Sequence, residues 1–356
     1  MDGFENVIIV DNGRFASKMV TPRLREFHKG RTDVLEHQKD KLLIPAVVSP
    51  GRKLKMDIDL NSPDRFWVEF PTSDYFVGNL ALDQGAVKMV NRTDKKDTEV
   101  DKAIMLCNLS LVANNRDELT LITNCPARDW TKENRKKISQ FYIGDHVVKH
   151  RAGVKNGTTV SFSVKKVHVL PEGAGAFYSF IYDDSLKVIH PEYQDGLTLV
   201  IEIGDQTTNY LLFKDGAYQE DSCGSIEYGL YRAHRLMQKE LEEKGVDMAL
   251  PEISSAIIRE KNIYFDNNYI NAKFMASNHY ETLSSIIYNG VIEKVTMRMI
   301  RNVLVAGGGA QPLIKHFEQL FGDKKVDSAP YGLGQWLNAD GFGKMYMDML
   351  KSKREG

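Results

Sequence analysis

The sequence predicts an α/β protein built from two similar lobes that face a cleft. The chain has 356 residues, which exceeds one typical domain. Each half opens with the same pattern, in which a buried strand is followed by a polar turn with a glycine and by a returning strand. We place the first lobe at residues 1–185 and 341–356, with an insertion at about 41–95, and the second lobe at residues 186–340, with an insertion at about 217–280.

The composition is that of an ordinary globular protein, with 42% hydrophobic and 27% charged residues. The formal net charge of −1 provides no basic field, so we expect no direct contact with nucleic acid. Cys107, Cys125 and Cys223 show no metal-binding spacing and favour a reducing compartment. The sequence has neither a signal-peptide pattern nor an apolar run of the roughly 20 residues that a membrane helix needs. We therefore expect a cytoplasmic protein that does not contact membranes.

Local patterns predict the individual elements. Strands are predicted from β-branched or alternating runs that end at turn residues, and helices from apolar residues at helical spacing. In the first half, the predicted elements are strands at 7–10, 17–20, 119–123 and 164–170, a helix capped by Thr131, and a helix at 174–181. In the second half, they are strands at 197–204, 209–213 and 303–306, and two helices marked by Ile226, Leu230, Ala233, Met237 and Leu241 and by Leu283, Ile286, Ile287, Val291 and Val295.

The first turn, DNGRFASK at residues 11–18, follows a predicted strand. A glycine in such a turn lets backbone N–H groups approach phosphate oxygens, because no Cβ atom stands in the way. Asp11 at the strand end can hold a hydrated magnesium ion, which prefers carboxylates, and Lys18 offers a positive charge to phosphates. The alternative interpretation is an ordinary hairpin turn with solvated charges.

The second turn repeats the order of the first. Glu202 lies at the strand end, Gly204 follows two residues later, and the hydroxyl groups of Thr207 and Thr208 come next. Two such turns can hold a phosphate chain from both sides. The alternative is a polar β-hairpin, since a Thr-Thr pair is common in strands.

The third segment is the triple glycine that follows the predicted strand at 303–306. Three consecutive glycines allow a flat ring or a sugar to lie against bare backbone. The alternative is a flexible connection between a strand and a helix that packs closely.

In this order the three segments resemble the two phosphate loops and the adenosine loop of the actin, heat-shock chaperone and sugar kinase superfamily. LPEGAGA at 170–176 resembles the helix that connects the phosphate loops in that superfamily. YFVGNLA at 75–81, NCP at 124–126 and NADGF at 338–342 are similar to landmarks of the ParM-like actin-like ATPases that segregate plasmids. The resemblance implies an actin-like ATPase fold with two ribonuclease-H-like lobes around a nucleotide cleft.

The resemblance also implies roles for single residues. Asp11 and Glu202 would hold Mg²⁺ through water, and Glu202 stands where the family usually has Asp. Glu260 resembles the carboxylate of a basic-acidic helix, at 258–261, that takes the ribose hydroxyls, and a solvated helix face is the alternative. The other implied nucleotide-binding residues are Asn12, Gly13, Arg14, Phe15, Ser17, Lys18, Gly204, Asp205, Gln206, Thr207, Gly307, Gly308, Gly309 and Ala310.

Glu172 stands where the superfamily places the residue that orients the attacking water. Phosphoryl transfer asks the protein mainly for positioning and charge neutralisation, so one carboxylate near the γ-phosphate suffices. The alternative is a carboxylate that is favoured by the dipole at a helix start.

The resemblance implies a filament-forming ATPase that uses ATP, with GTP possible, together with Mg²⁺. Its partners would be other copies of the chain and a DNA-binding adaptor of the ParR kind. The alternative function is a small-molecule kinase of the sugar-kinase type with the same fold. We find no catalytic Asp and glycine-rich substrate segment of the kind that sugar kinases carry, which favours the ATPase.

Overall fold

The computed structural model describes residues 4–54, 65–84, 89–90, 98–258, 260–266, 268–329 and 333–355. The chain divides into two compact units, which are Met1–Gly175 with Ala339–Gly356, and Ala176–Asn338. Each unit has its own sheet and its own apolar core.

Strands and helices alternate along most of the described chain. The strands are β1 (Val7–Asn12), β2 (Ala16–Val20), β3 (Lys41–Pro45), β4 (Val47–Pro50), β5 (Arg65–Phe70), β6 (Ser73–Gly78), β7 (Met89–Val90), β8 (Asp117–Cys125), β9 (Gly144–Ala152), β10 (Thr159–Pro171), β11 (Leu197–Ile203), β12 (Thr208–Lys214), β13 (Ala217–Tyr218), β14 (Gly224–Ile226), β15 (Asn262–Phe265), β16 (Asn268–Asn271), β17 (Ile300–Ala306) and β18 (Lys325–Ser328). The helices are α1 (Leu24–Phe27), α2 (Asn79–Gln84), α3 (Glu99–Val112), α4 (Lys132–Tyr142), α5 (Ala174–Ile181), α6 (Leu230–Glu243), α7 (Leu250–Ile258), α8 (Ala272–Ile292), α9 (Ala310–Phe321) and α10 (Leu337–Glu355).

The sheet of the first unit has the strand order β3-β2-β1-β8-β10-β9-β5-β6-β4-β7. β1 forms an antiparallel hairpin with β2, and β1, β8 and β10 are parallel neighbours. The carboxyl ends of these three parallel strands therefore lie at the same edge of the sheet.

Strand β1 is buried along its full length, because its two rows of side chains pack against different layers. Ile8 and Val10 belong to the core that includes α3, whereas Ile9 belongs to a second cluster that includes side chains of α10. The alternation of a strand also fixes the polar residues that follow. Asn12 continues the row that faces α3, and Asp11 continues the row of Ile9.

The sheet of the second unit has the order β13-β12-β11-β17-β18, and β14 pairs with β12. β11 and β12 form an antiparallel hairpin, while β11, β17 and β18 are parallel neighbours. This arrangement repeats that of β2, β1, β8 and β10 in the first unit. The repeated sequence pattern therefore predicts the repeated strand topology correctly. Side chains of α6, α8 and α9 cover one face of this sheet.

The predicted strands are all present, and Thr131 caps α4 by accepting a hydrogen bond from the Asn134 backbone N–H. Two helix predictions are wrong at one end. Ile226 lies in β14, four residues before α6 begins at Leu230, and Val295 lies beyond α8, which ends at Ile292. Both residues still pack on the core of the second unit. Helical spacing of apolar residues reports a shared buried face and does not by itself locate the helix end.

Within the described residues, every helix is too short or too polar to cross a bilayer.

Candidate functional site

Three polar side chains meet where β1, β8 and β10 end in the first unit. The side-chain amide of Asn124 donates to Asp11 Oδ1 at 2.8 Å and to Glu172 Oε1 at 3.0 Å. Each of the three follows, by two residues, a hydrophobic residue of the cluster beneath α10, namely Ile9, Ile122 and Leu170. Because side chains alternate along a strand, the three polar groups continue one face of the sheet. One amide therefore holds two carboxylates together at the strand ends.

Lys18 adds a positive charge to this group. It lies directly opposite Asp11 in the β1–β2 hairpin, and its Nζ donates to Asp11 Oδ2 at 2.7 Å. The Asp11 side chain is 4% exposed and the Lys18 side chain 18%, so water screens this ion pair poorly. Both carboxylate oxygens of Asp11 thus accept hydrogen bonds, one from a cation and one from an amide.

The tip of the first turn is formed by Gly13, Arg14 and Phe15. A Cβ atom on Gly13 would lie 2.8 Å from the Ala16 carbonyl oxygen, so glycine is required here by close packing of the backbone. Phe15 is 55% exposed and Arg14 is partly buried. The Ser17 side chain is fully buried, and its hydroxyl accepts a hydrogen bond from Asn108. Phosphate contacts by these residues stay a prediction.

The second turn contains the same hairpin geometry with different side chains. Glu202 lies opposite Asn209, whose amide donates to Glu202 Oε2 at 2.9 Å. Ser225 on β14 donates its hydroxyl to Asn209 Oδ1 at 2.5 Å, which fixes the orientation of that amide. Glu202 is 9% exposed and lies at the end of β11, as the sequence predicts for a strand-end carboxylate.

The backbone of the second turn is docked on the start of α6. The Gly204 carbonyl accepts from the Leu230 N–H at 3.1 Å, and the Asp205 carbonyl accepts from the Tyr231 N–H at 2.7 Å. These N–H groups belong to the first turn of a helix, where they have no partner inside the helix. The partly buried Asp205 carboxyl has a pKa raised to about 6, because burial disfavours its charged form.

Gln206 and Thr207 complete the second turn and are partly buried. The Thr207 carbonyl accepts from the Gly204 N–H at 2.9 Å, which closes the turn. Their contact with a nucleotide stays a prediction.

The triple glycine lies between β17 and α9, as the sequence predicts. Gly307 has φ +85°, and a Cβ atom there would lie 2.4 Å from the Ile203 carbonyl oxygen. A Cβ atom on Gly309 would lie 2.4 Å from Ile203 Cγ2, whereas one on Gly308 would have open space around it. Close packing therefore explains Gly307 and Gly309, but it does not explain Gly308. Ala310, the fourth predicted residue, is buried at the first position of α9.

The predicted helix around Glu260 is wrong. α7 ends at Ile258, and Glu260 adopts a left-handed conformation with φ +51°. Two hydrogen bonds close this helix end, from the Glu260 N–H to Ile257 O and from the Lys261 N–H to Ala256 O, in the pattern of a Schellman cap. The Glu260 carboxylate is exposed and pairs with Lys273 at 2.5 Å. Its proposed ribose contact stays a prediction.

The sequence interpretation did not assign Asn124 or Asn209 to the site, although each holds a strand-end carboxylate. Asn124 is the second-last residue of the long strand β8, as Asp11 is of β1, and that pattern was the available signal. Asn209 is recognisable only through its register opposite Glu202.

Among the described residues, groups of three or more His, Cys, Asp or Glu side chains arranged to hold a metal directly are absent. Asp11 and Glu172 form a pair of carboxylates that share one amide. The Asp11 carboxylate is an oxygen donor that fits a magnesium ion that keeps most of its water ligands, which is the usual behaviour of Mg²⁺ in phosphate sites.

Two family models match the sequence. Residues 10–175 match the N-terminal domain of actin-like proteins, and residues 200–319 match the C-terminal domain of the archaeal MreB-like actin homologue. No curated protein matches the sequence.

Several solved structures have the same fold. The archaeal actin homologue Ta0583 in complex with ADP is 14% identical, with a TM-score of 0.72 over 96% of this chain and 99% of its own. A 15-stranded ParM filament from Clostridium botulinum is 18% identical, with a TM-score of 0.73 over 96% and 99%. Bacillus thuringiensis ParM with AMPPNP is 14% identical, with a TM-score of 0.68 over 98% and 99%.

The α/β units and the two family matches define the class: the chain has the actin-like fold, and most of its length matches models of actin-like domains. The predicted resemblance to ParM-like actin-like proteins is confirmed by these matches and by the fold that the chain shares with ParM structures.

Proposed function

We propose that this chain binds and hydrolyses ATP with Mg²⁺ and that nucleotide binding drives its assembly into filaments. The observation that carries the proposal is the Asn124 amide, which holds Asp11 and Glu172 together beside Lys18 and a glycine turn. A cation, two carboxylates and close-approaching backbone are the components that phosphoryl transfer requires. The ADP and AMPPNP complexes of proteins with this fold support the choice of nucleotide.

Each part of the group has a distinct proposed role. Glu172 orients the attacking water, and its bond to Asn124 keeps the carboxylate at the end of β10. Asp11 and Glu202 would each hold water molecules of a magnesium ion, and that ion would neutralise part of the phosphate charge. Lys18 exchanges its bond to Asp11 for a phosphate oxygen when nucleotide enters.

The remaining predicted contacts belong to the same proposal. The first turn, Gly204, Asp205, Gln206 and Thr207 contact the phosphates, and the segment at 307–310 faces the adenosine. The Glu260 carboxylate binds the ribose hydroxyls. We further propose that the filaments segregate plasmid DNA in the cytoplasm through a DNA-binding adaptor of the ParR kind, and the resemblance to ParM supports this role.

Sedimentation separates this proposal from the kinase alternative. We expect the protein to pellet with ATP or a slowly hydrolysed analogue, and to stay in the supernatant without nucleotide. A parallel series with GTP reports the nucleotide preference. A protein that stays monomeric at tens of micromolar with ATP in several salts, and that releases ADP only when a sugar is added, would instead be the small-molecule kinase.

The adaptor role has its own test. Filaments should co-sediment with DNA only when a small DNA-binding protein encoded beside this gene is present. Filaments that ignore that protein would remove plasmid segregation from the proposal while leaving the ATPase in place.

A further inference from the structure

Helix α3 lies against the inner side of the first turn. Most of its residues are buried, and they share a core cluster with Ile8 and Val10 of β1. Asn12 is the next residue in that row of β1, so its side chain points towards the helix. The helix therefore contacts the first turn through the same face of the sheet that forms the core.

Two polar side chains of α3 bind the two ends of the turn. Asp101 Oδ1 accepts from the Asn12 amide at 3.0 Å, and the Asn108 amide donates to Ser17 Oγ at 3.0 Å. Asn12 and Ser17 are directly opposite each other in the hairpin, as the last pair before the turn. All four side chains are at most 3% exposed. Buried hydrogen bonds of this kind are costly to lose, because the partner left behind is unsatisfied.

The helix holds both side chains rigidly. Asp101 uses its other oxygen, Oδ2, in the capping box at the start of α3, where it accepts from the Thr98 N–H and hydroxyl. The Asn108 amide also donates to the Ile104 carbonyl one helical turn earlier. The two residues are seven positions apart, which places them two turns apart on one helix face.

We propose that Asp101 and Asn108 are positioning residues that set the geometry of the first turn for a nucleotide phosphate. By fixing Asn12 and Ser17, they fix the spacing of the strand ends and so the direction of the backbone N–H groups between them. This inference rests on the proposed nucleotide site. Small displacements of groups that hold a substrate have large effects on its binding and reaction.

The test measures nucleotide affinity in Asp101→Ala and Asn108→Ala, with Thr98→Ala as the matched control. Thr98→Ala removes the hydroxyl of the capping box but leaves the bond between Asp101 and Asn12 in place. We expect Thr98→Ala to lower the melting temperature and to keep a Kd for ATP close to wild type, because the Thr98 backbone N–H still donates to Asp101 Oδ2. Asp101→Ala and Asn108→Ala should each weaken ATP binding by about tenfold. Asp101→Asn, which keeps an acceptor for Asn12, should restore most of the affinity.

Hydrogen exchange without nucleotide supplies a readout that does not depend on ATP. Backbone amides of residues 12–20 should exchange faster in Asp101→Ala and Asn108→Ala than in Thr98→Ala, while the rest of the first unit matches the control. The inference is overturned if both alanine variants bind ATP with the wild-type Kd and exchange amides at the rate of Thr98→Ala. If one of the two variants does not fold, the result for the other decides the test. A wild-type protein that binds no ATP would instead overturn the proposed function, and the exchange data would still decide the positioning role.

Discussion

The first and second turns share one backbone design and differ in their chemistry. In both hairpins the strand-end carboxylate lies opposite the residue seven positions later, so Asp11 faces Lys18 and Glu202 faces Asn209. Asp11 is therefore paired with a cation, whereas Glu202 accepts from a neutral amide. The same hairpin thus places a lysine opposite the carboxylate in one unit and an asparagine opposite it in the other.

The neighbouring strand also differs between the units. Next to Asp11 near the end of β8 lies Asn124, whose amide also donates to Glu172. Next to Glu202, the register places Ala306 of β17, which is followed by the triple glycine. The first unit therefore collects polar groups at its strand ends, and the second exposes bare backbone. The two copies of one strand topology therefore carry different groups, with polar side chains at the strand ends of the first unit and glycine backbone in the second.

The largest effect is expected at Glu172, whose carboxylate shares the Asn124 amide with Asp11. Glu172→Ala should keep nucleotide affinity and assembly but slow phosphate release by ~10²-fold or more, because the attacking water loses its orienting carboxylate. Filaments should then persist longer. Glu172→Gln keeps an acceptor for Asn124, so a purely structural role would leave it close to wild type. Unchanged phosphate release in assembled Glu172→Ala filaments would show that Glu172 is only a carboxylate at a helix start.

The second prediction compares the two strand-end carboxylates directly. Asp11→Asn and Glu202→Gln should each weaken nucleotide binding in magnesium buffer on the order of tenfold, since each loses a charge that is proposed to support the hydrated metal. Asp11→Ala should additionally abolish assembly. Only the Asp11 variants release Lys18 from its ion pair, so with EDTA they should bind ATP at least as well as wild type. Titrations with and without magnesium measure this, and equal losses in both buffers would remove Asp11 from the metal site.

The third prediction separates packing from ligand binding in the triple glycine. Gly307→Ala places a Cβ atom against Ile203 at a positive φ, and should lower the free energy of unfolding by about 2 kcal/mol or more. Gly308→Val meets open space and should change that free energy by less than about 0.5 kcal/mol, yet weaken ATP binding. Denaturation and nucleotide titration of both variants provide the measurement. Loss of stability in Gly308→Val without nucleotide would show that the turn is structural throughout.

The smallest effect concerns pH and the second turn. Burial raises the pKa of Asp205 to about 6, so the folded state keeps this proton to a higher pH than the unfolded chain. Its contribution to stability is present below about pH 4 and is lost as pH rises through about 6. Relative to Asp205→Asn, the wild-type protein should therefore lose on the order of 2 kcal/mol across that range.

A comparison of the two proteins isolates this contribution. Burial lowers the pKa of His150 and His234 to about 4, which produces the opposite slope, a loss of stability as pH falls. Both histidines are the same in wild type and Asp205→Asn, so their effect cancels in the difference. If the free energies of unfolding of the two proteins differ by the same amount from pH 4 to pH 7, the prediction is contradicted.

Much of the fold was predictable from local sequence. β1 and β11 are rich in apolar residues and end at a carboxylate and a glycine turn, and both were predicted as strands. Two errors occurred where side-chain spacing was the only guide, and a third where the family resemblance implied a helix. Ile226 and Val295 belong to the core without belonging to the helices, and Glu260 adopts a left-handed conformation that the sequence did not suggest.

The charged residues of the candidate site were predictable from the sequence, but the hydrogen bonds between them and distant elements were not. Asp11, Lys18 and Glu202 were predicted because each stands beside a glycine turn. Asp101 was missed, although Thr98 three residues earlier completes the sequence signature of a capping box. A capping box predicts where a helix begins. It does not predict that the second carboxylate oxygen of Asp101 binds a distant turn.

The sequence by itself determined the strand-turn-strand repeat and the carboxylates at its ends, because turn chemistry and side-chain alternation act over a few residues. Only the tertiary structure decided that Asn124 holds Asp11 and Glu172 together, across 113 and 48 residues of sequence. It also decided that the first turn is held by side chains of α3 and the second by backbone N–H groups of α6. Such contacts depend on how strands pair and how helices pack on the sheet. The packing of the buried core sets the distances between these elements.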